Sequence, residues 1–191
     1  MRENKLHSIF DIFRVVFPLV LVIFFTFLAR VIFSPLLVPM EVDLHLSHTS
    51  AGSLFLFISM GYAPTMLCSG FVSGRITHHG TILLSATICG LSLLIISFNS
   101  RLIGLQLGML ALGAGAGLYF PSGMATLTHL VAKEHWGKAI AFHEAGPNLG
   151  FVLAPIVAEL GLSFSSWRGI VVSLGFACLV VCLLYTSPSP R

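Results

Sequence analysis

The chain has very few charged residues for its length. Only 9% of its 191 residues are Asp, Glu, Lys or Arg, whereas 56% are hydrophobic, and the mean hydropathy is +0.97. A soluble globular domain carries roughly a quarter charged residues, so this chain lacks the polar surface that water requires. The composition therefore excludes a soluble domain, and the net charge of only +3 gives no reason to expect nucleic acid as a partner.

Cysteine is equally scarce, and its placement suggests no site. The four cysteines lie inside apolar segments and form no C-x-x-C pair, which is typical of small apolar packing residues rather than of disulfides or metal ligands. We therefore expect neither a metal nor another cofactor. The cysteines are Cys68, Cys89, Cys178 and Cys182.

The chain is instead rich in long, continuous apolar runs. A helix needs roughly 20 residues to cross the hydrocarbon, and the absence of strict alternation argues against a β-barrel. The first run begins at Val15 and is too long for a signal peptide, so we interpret it as a retained span. The sequence predicts an all-α membrane protein in which an N-terminal segment (1–14) precedes a six-helix bundle (15–185), with spans at 15–38, 50–72, 81–98, 102–126, 139–162 and 169–185.

The positive charges fall mainly on one side of these spans. Arg101 and Arg168 lie on one side, and all other Lys and Arg residues flanking the spans lie on the opposite side, with the N-terminus. Because cytoplasmic loops carry the excess of Lys and Arg, we expect a multi-pass protein with a cytoplasmic N-terminus, in a bacterial inner (plasma) membrane. The residues on the N-terminal side are Arg2, Lys5, Arg14, Arg75, Lys133 and Lys138.

The connection between spans two and three carries a recognisable pattern. It reads Gly70-Phe-Val-Ser-Gly74-Arg75-Ile-Thr-His-His-Gly. This resembles the loop signature of the major facilitator superfamily, in which a glycine is followed by an aspartate, an arginine or lysine, and a basic pair. Gly70 and Arg75 fit the signature, whereas Gly74 stands where the family has the aspartate. The resemblance implies a gating loop that holds helix ends together on the cytoplasmic side.

Span five carries a second pattern, Gly146-Pro147-Asn-Leu-Gly150. It resembles the Gly-Pro-x-x-Gly core of exporters in the same superfamily. Small residues allow helix backbones to approach closely, and proline opens a backbone hydrogen bond and kinks the helix. The resemblance implies a helix kink and a packing surface here, which we expect to contact another part of the transporter.

Spans one and four both contain helix-breaking residues. Pro35 and Pro39 lie in span one, and Pro121 and Gly123 lie in span four, so we expect both spans to be interrupted. Gly117 belongs to a stripe of glycines at four-residue spacing in span four, which we expect to pack closely on another helix. Interruptions at corresponding positions of two repeats indicate a binding site in transporters. The resemblance implies two inverted three-helix repeats that form the N-terminal half of a twelve-helix secondary transporter. Its partners are then the lipid bilayer, a small-molecule substrate and a missing C-terminal six-helix half, and we expect the tail (186–191) to be a non-native truncation.

A few ionisable side chains lie within the spans, where each is a candidate functional group. Arg30 is about 22 Å from the start of span one, where it can either clamp an anionic substrate or extend towards the headgroups. Glu144 lies about 10 Å into span five, where a carboxyl group can take up and release a proton, and His143 can share that task. Tyr119 either lines the cavity or packs in the core.

Other polar and aromatic residues are expected to have structural roles. We expect Glu159 and Arg168 to form a surface ion pair, and Trp136 and Trp167 to anchor at the headgroups. The acidic and histidine residues between spans one and two are interpreted as a solvated loop rather than a metal site; they are Glu41, Asp43, His45 and His48.

These features favour a secondary active transporter of a small solute, working by alternating access with proton coupling. A complete six-span protein that acts as a homodimer, or as a non-transporting interaction protein, is the alternative. An enzyme is disfavoured, because the sequence contains neither G-x-S-x-G nor H-E-x-x-H.

Overall fold

The computed structural model describes residues 9–186, which are helical almost throughout. Arg2, Lys5 and the tail residues 187–191, on which parts of the orientation and truncation hypotheses depend, lie outside the described residues. A short 3₁₀ turn, Lys133–His135, precedes the fifth helix. The helices are α1 (Ile9–Val31), α2 (Phe33–Leu44), α3 (His48–Phe98), α4 (Leu102–Leu130), α5 (Trp136–Phe164) and α6 (Trp167–Thr186).

The 51-residue helix α3 is interrupted at Thr77. A straight helix of that length would measure about 77 Å, more than twice the roughly 30 Å of hydrocarbon. Thr77 adopts φ 69° and ψ 162°, which is not helical. We call residues 48–76 the first arm of α3 and residues 78–98 the second arm.

The two arms pack on α4 in opposite directions. In the first arm, Ile58 lies against Gly113 and Thr65 against Gly117, so the first arm and α4 run parallel. The second arm runs antiparallel to α4, because Ile88 contacts Gly115 whereas the later residue Ile96 contacts the earlier Gly108. The chain therefore reverses at Thr77, and α3 crosses the bundle twice.

The bundle consequently has six crossings. Within residues 9–186, five helical segments are long and apolar enough to span a membrane, and one of these is the whole of α3. Another joins α1 and α2 across a short break at Ile32. The predicted all-α fold with six membrane helices is confirmed. The reversal occupies the single residue Thr77 rather than the longer connection predicted from the sequence.

The break in the first crossing has a simple backbone cause. Pro35 has no N–H, so the carbonyl of Val31 lacks its usual helical partner, and α1 ends at that residue. The expected interruption of span four is wrong, because α4 continues as a helix through Pro121. Membrane helices tolerate proline where neighbouring helices support the backbone, and α4 is packed between the two arms of α3.

The contact between the first arm and α4 depends on three glycines. A Cβ added to Gly113 would collide with the backbone carbonyl of Ile58, and one added to Gly61 would collide with that of Leu110. A Cβ added to Gly117 would likewise collide with the Thr65 hydroxyl and the carbonyl of Tyr62. Small residues of this kind allow two helix backbones to approach closely in a membrane. This contact fixes the position of α4 in the bundle.

A polar cluster joins the helices at the end of the bundle that contains Asp43. The Arg168 guanidinium donates to Asp43 Oδ2 at 3.2 Å and to the carbonyls of Ser97 and Asn99 at 2.7 and 2.9 Å. The indole N–H of Trp167 donates to the same carboxylate at 3.0 Å, and Trp167 is only 3% exposed. Arg168 thus pairs with Asp43 rather than with Glu159, because the ends of α2 and the second arm converge on the start of α6.

We predict that Gly113→Ala destabilises the bundle by about 1–3 kcal/mol, because the added methyl group overpacks the contact with Ile58. An SDS unfolding titration in mixed micelles measures the difference. Gly52→Ala is the matched control, since a Cβ at Gly52 meets no atom within 4 Å. Equal stability of the two variants would contradict the proposed role of the close helix contact.

Candidate functional site

Three side chains form a hydrogen-bonded chain that links α1, α4 and α5. The Tyr119 hydroxyl lies 2.8 Å from the carbonyl oxygen of Leu19 and 3.0 Å from Nε2 of His143. On the other side of the imidazole, Nδ1 lies 2.9 Å from Oε1 of Glu144. The rings of Tyr119 and His143 are nearly parallel, with an interplanar angle of 6°. Tyr119 and His143 are both fully buried, so the chain lies inside the bundle.

The geometry limits where the protons of this chain can be. A carbonyl only accepts, and a phenol has one proton to donate. When Tyr119 donates to Leu19, Nε2 of His143 must therefore carry a proton and donate to the phenol oxygen. A further proton is shared between Nδ1 and the Glu144 carboxyl group. In this arrangement the His143–Glu144 pair holds two protons and has no net charge.

Removing one proton from the pair changes the hydrogen-bond pattern. Nδ1–H of His143 then donates to the Glu144 carboxylate, and the lone pair of Nε2 becomes an acceptor. The Tyr119 hydroxyl can satisfy that acceptor only by turning its proton away from Leu19. The protonation state of an α5 pair therefore determines whether Tyr119 of α4 donates to α1 or to α5.

Glu144 connects this buried chain to an open face of the bundle. Its side chain is 39% exposed, whereas that of His143 is completely buried. The α5 crossing is the least covered of the segments that can span a membrane. In its most apolar stretch 17% of the residues are buried, compared with 39–56% in the other segments. Its exposed apolar residues are Leu149, Phe151, Val152, Ile156, Leu160 and Phe164.

Arg30 lies at a second candidate site, where α1, α2, the first arm of α3 and α5 meet. Its guanidinium lies over the ring of Tyr62, 4.4 Å from the centroid, and 5.1 Å from that of Phe27. Its Nε atom is buried and has no hydrogen-bond partner, and the ion pairs found within residues 9–186 do not include Arg30. Arg30 lines a cavity of about 500 Å³.

The Arg30 cavity and the hydrogen bonds around Glu144 lie at different depths in the bundle. Phe27 of α1 packs on Phe151 of α5, with ring centroids 4.8 Å apart, and Ala154 shares the cavity of Arg30. Glu144 precedes Ala154 by ten residues, or about 15 Å along a helix. Arg30 and Glu144 therefore do not form a pair in this structure.

The glycine and proline candidates occupy several environments. Gly146 and Gly150 lie against α1, where an added Cβ would be 3.0 Å from Ile23 and 3.1 Å from Phe27 respectively. Their close contact is thus within this bundle. Pro147 lies inside α5, and Pro35 lines the Arg30 cavity.

The residues predicted to form a gating loop, Gly70, Gly74 and Arg75, lie in the first arm of α3, just before the reversal at Thr77. Gly70 and Gly74 are exposed, and a Cβ at either would meet nothing within 4 Å. The guanidinium of Arg75 lies over the ring of Phe71 at 4.5 Å. His79 stacks on Tyr185 of α6, with ring centroids 4.8 Å apart. The start of the second arm thus contacts α6 through an aromatic pair that the sequence pattern did not indicate.

The acidic residues Glu41 and Asp43 at this end of the bundle are engaged in ion pairs. His48 Nδ1 pairs with Glu41 at 2.7 Å. Among the side chains of residues 12–186, no group of three or more His, Cys, Asp or Glu is arranged to hold a metal ion.

Three comparisons show which known proteins this chain is similar to in sequence and in fold. The sequence model of the Major Facilitator Superfamily matches residues 19–191. A multi-drug resistance efflux pump PmrA homolog from Lactococcus lactis subsp. cremoris is 33% identical over 78 residues, which are 40% of this chain and 66% of that protein. The crystal structure of a D-xylose-proton symporter superposes with a TM-score of 0.77 at 16% identity, covering 93% of this chain and 48% of the symporter. The chain thus spans about half the length of that symporter.

We predict that Tyr119→Phe destabilises the bundle by about 1 kcal/mol, because it removes an interhelical hydroxyl and keeps the stacked ring. The SDS unfolding titration provides the measurement. Tyr185→Phe is the control, since no hydrogen bond found within residues 9–186 uses the Tyr185 hydroxyl. A loss as large in the control as in Tyr119→Phe would contradict the proposed hydrogen-bond chain.

Proposed function

Because this chain belongs to the major facilitator superfamily, we propose that it is the N-terminal half of a proton-coupled secondary transporter that moves a small solute by alternating access. The observation that supports this most directly is the series of hydrogen bonds that runs from Leu19 through Tyr119 and His143 to Glu144. It joins three helices through groups that can exchange protons. Proteins of this superfamily are generally transporters and not enzymes.

The proposed second half would cover the open face of this bundle. The chain matches 48% of the length of the similar symporter, and α5 leaves a row of large apolar side chains exposed. Gly70 and Gly74 add an exposed surface without side chains on the first arm, which another helix could approach closely. These features support a missing six-helix partner that packs on α5 and the first arm.

The same uncovered face also fits a second copy of the chain, which is the homodimer alternative. The gene sequence following the codon for Tyr185 distinguishes the two. An open frame that encodes six further apolar spans supports the half-transporter, whereas a stop codon after Arg191 supports the homodimer. In either arrangement we propose a bacterial inner membrane with residues 1–14 in the cytoplasm, on the basis of the Lys and Arg distribution.

The proposed coupling follows from the two hydrogen-bond patterns of Tyr119. With the His143–Glu144 pair doubly protonated, Tyr119 donates to Leu19 and ties α4 to α1. Loss of a proton through the exposed side of Glu144 turns that hydroxyl towards α5. Because alternating access requires helices to change their mutual contacts, a proton taken up on one side of the membrane can favour one arrangement over the other.

We predict that Glu144→Gln abolishes uptake or efflux driven by an imposed pH gradient, because an amide cannot exchange the coupling proton. The full-length product of the native gene is reconstituted in vesicles, and solute movement is followed with and without the gradient. Solute exchange without a gradient is expected to persist, since it needs no net proton movement.

The control for this experiment is Glu159→Gln, which removes an exposed carboxylate from the same helix. It is expected to retain gradient-driven transport. Full gradient-driven transport in the Glu144→Gln variant would remove Glu144 from the coupling role.

A further inference from the structure

The Arg30 guanidinium is a cation with no anion. No carboxylate within residues 12–186, whose side chains the structure describes, pairs with it, and its Nε is buried without a partner. A charge held at membrane depth is costly unless it is paired or reaches water. The contacts with Tyr62 and Phe27 reduce this cost through cation–π attraction, but they supply no opposite charge.

The cavity beside Arg30 has a definite chemical character. Its volume of about 500 Å³ lies within the range of about 300–1,000 Å³ that is typical of small-molecule sites. Three phenyl rings, those of Phe27, Phe55 and Phe151, contribute to its wall. Apart from Arg30, the polar side chains of the lining are those of Ser34 and Ser59, and the other lining residues are apolar.

The polar groups of this cavity are few. Of its two serines, Ser59 already donates its hydroxyl to the carbonyl of Phe55 at 3.0 Å. A sugar would bring several hydroxyls into a wall that leaves most of them unpaired, at a cost for each. A doubly charged phosphate would face a single cation. Both classes therefore fit the wall that this chain supplies poorly.

We propose that this cavity binds an organic monoanion with an apolar body, such as an aryl or acyl carboxylate, and that Arg30 binds its carboxylate. A guanidinium can hold a carboxylate through two parallel N–H···O bonds, and the phenyl rings hold the apolar body. The proposal rests on the proposed function in that it takes this molecule to be the transported solute. It implies that the substrate class differs from the sugar in the name of the similar symporter.

Equilibrium binding to the protein produced from its native gene, in lipid nanodiscs and without any gradient, tests the proposal. Radiolabelled phenylacetate is the probe, and phenylacetamide, inorganic phosphate and D-xylose are the competitors. We expect phenylacetate to bind and each competitor to be at least about tenfold weaker, because none of them combines a single negative charge for Arg30 with an apolar body for the phenyl rings.

Variants identify the residue responsible. Arg30→Gln is expected to weaken phenylacetate binding at least about tenfold, and Arg30→Lys to weaken it less because the charge stays while the planar fork is lost. Arg101→Gln, which removes an exposed arginine from the N-terminus of α4, is expected to leave affinity unchanged.

Two results would overturn the proposal. One is competition by phenylacetamide, phosphate or D-xylose that matches phenylacetate. The other is an Arg30→Gln variant that binds phenylacetate as the parent does but unfolds at a lower SDS fraction, which would assign Arg30 to an ion pair with another part of the protein. Because no gradient is used, Arg30-dependent binding can persist even if Glu144→Gln retains coupled transport, so this proposal and the coupling proposal fail separately.

Discussion

The close contact of the first arm of α3 with α4 determines where the other features of the bundle lie. In a membrane, lipid is as apolar as the side chains, so helix association depends on packing rather than on removal of apolar surface from water. Gly61, Gly113 and Gly117 bring two backbones together along a parallel pair of helices. This contact fixes the depth and rotation of α4, and Tyr119 lies two residues beyond Gly117 on the same helix. Its hydroxyl thereby reaches both Leu19 and His143.

The sequence predicted the class of fold more completely than it predicted the local structure. Apolar run length and the absence of charge were enough for six crossings, because lipid admits few other architectures for a chain of this composition. The expected break at Pro121 did not occur, because α4 is supported by both arms of α3. The low helix propensity of proline takes no account of such support. The reversal at Thr77 was also narrower than the polar and glycine residues around it suggested, because helical hydrogen bonding extends beyond the apolar region.

The individual candidate residues were predictable, but their partners were not. Rarity of charge in the spans identified Arg30, His143 and Glu144 without knowledge of the fold. The contacts of Arg30 with Tyr62 and of Arg168 with Asp43 join residues 32 and 125 positions apart in the chain, and no periodicity relates such positions. The expected pair of Glu159 with Arg168 relied on proximity in sequence, whereas the convergence of α2, the second arm and α6 supplied a nearer carboxylate.

The separation of Arg30 from Glu144 has a consequence for the proposed transport cycle. If the solute and the proton occupied one site, they could compete directly for the same charge. Here about 15 Å of helix lies between them, so coupling must pass through a helix that contacts both. Helix α1 meets this requirement, because it carries both Arg30 and the Leu19 carbonyl that accepts from Tyr119. In the proposed cycle, proton loss would release the bond between Tyr119 and Leu19 and so free α1 at that depth. An anion bound at Arg30 would hold α1 against α5 and the first arm at the other depth. The direction of coupling then depends on which of these two contacts each access state of the full transporter preserves.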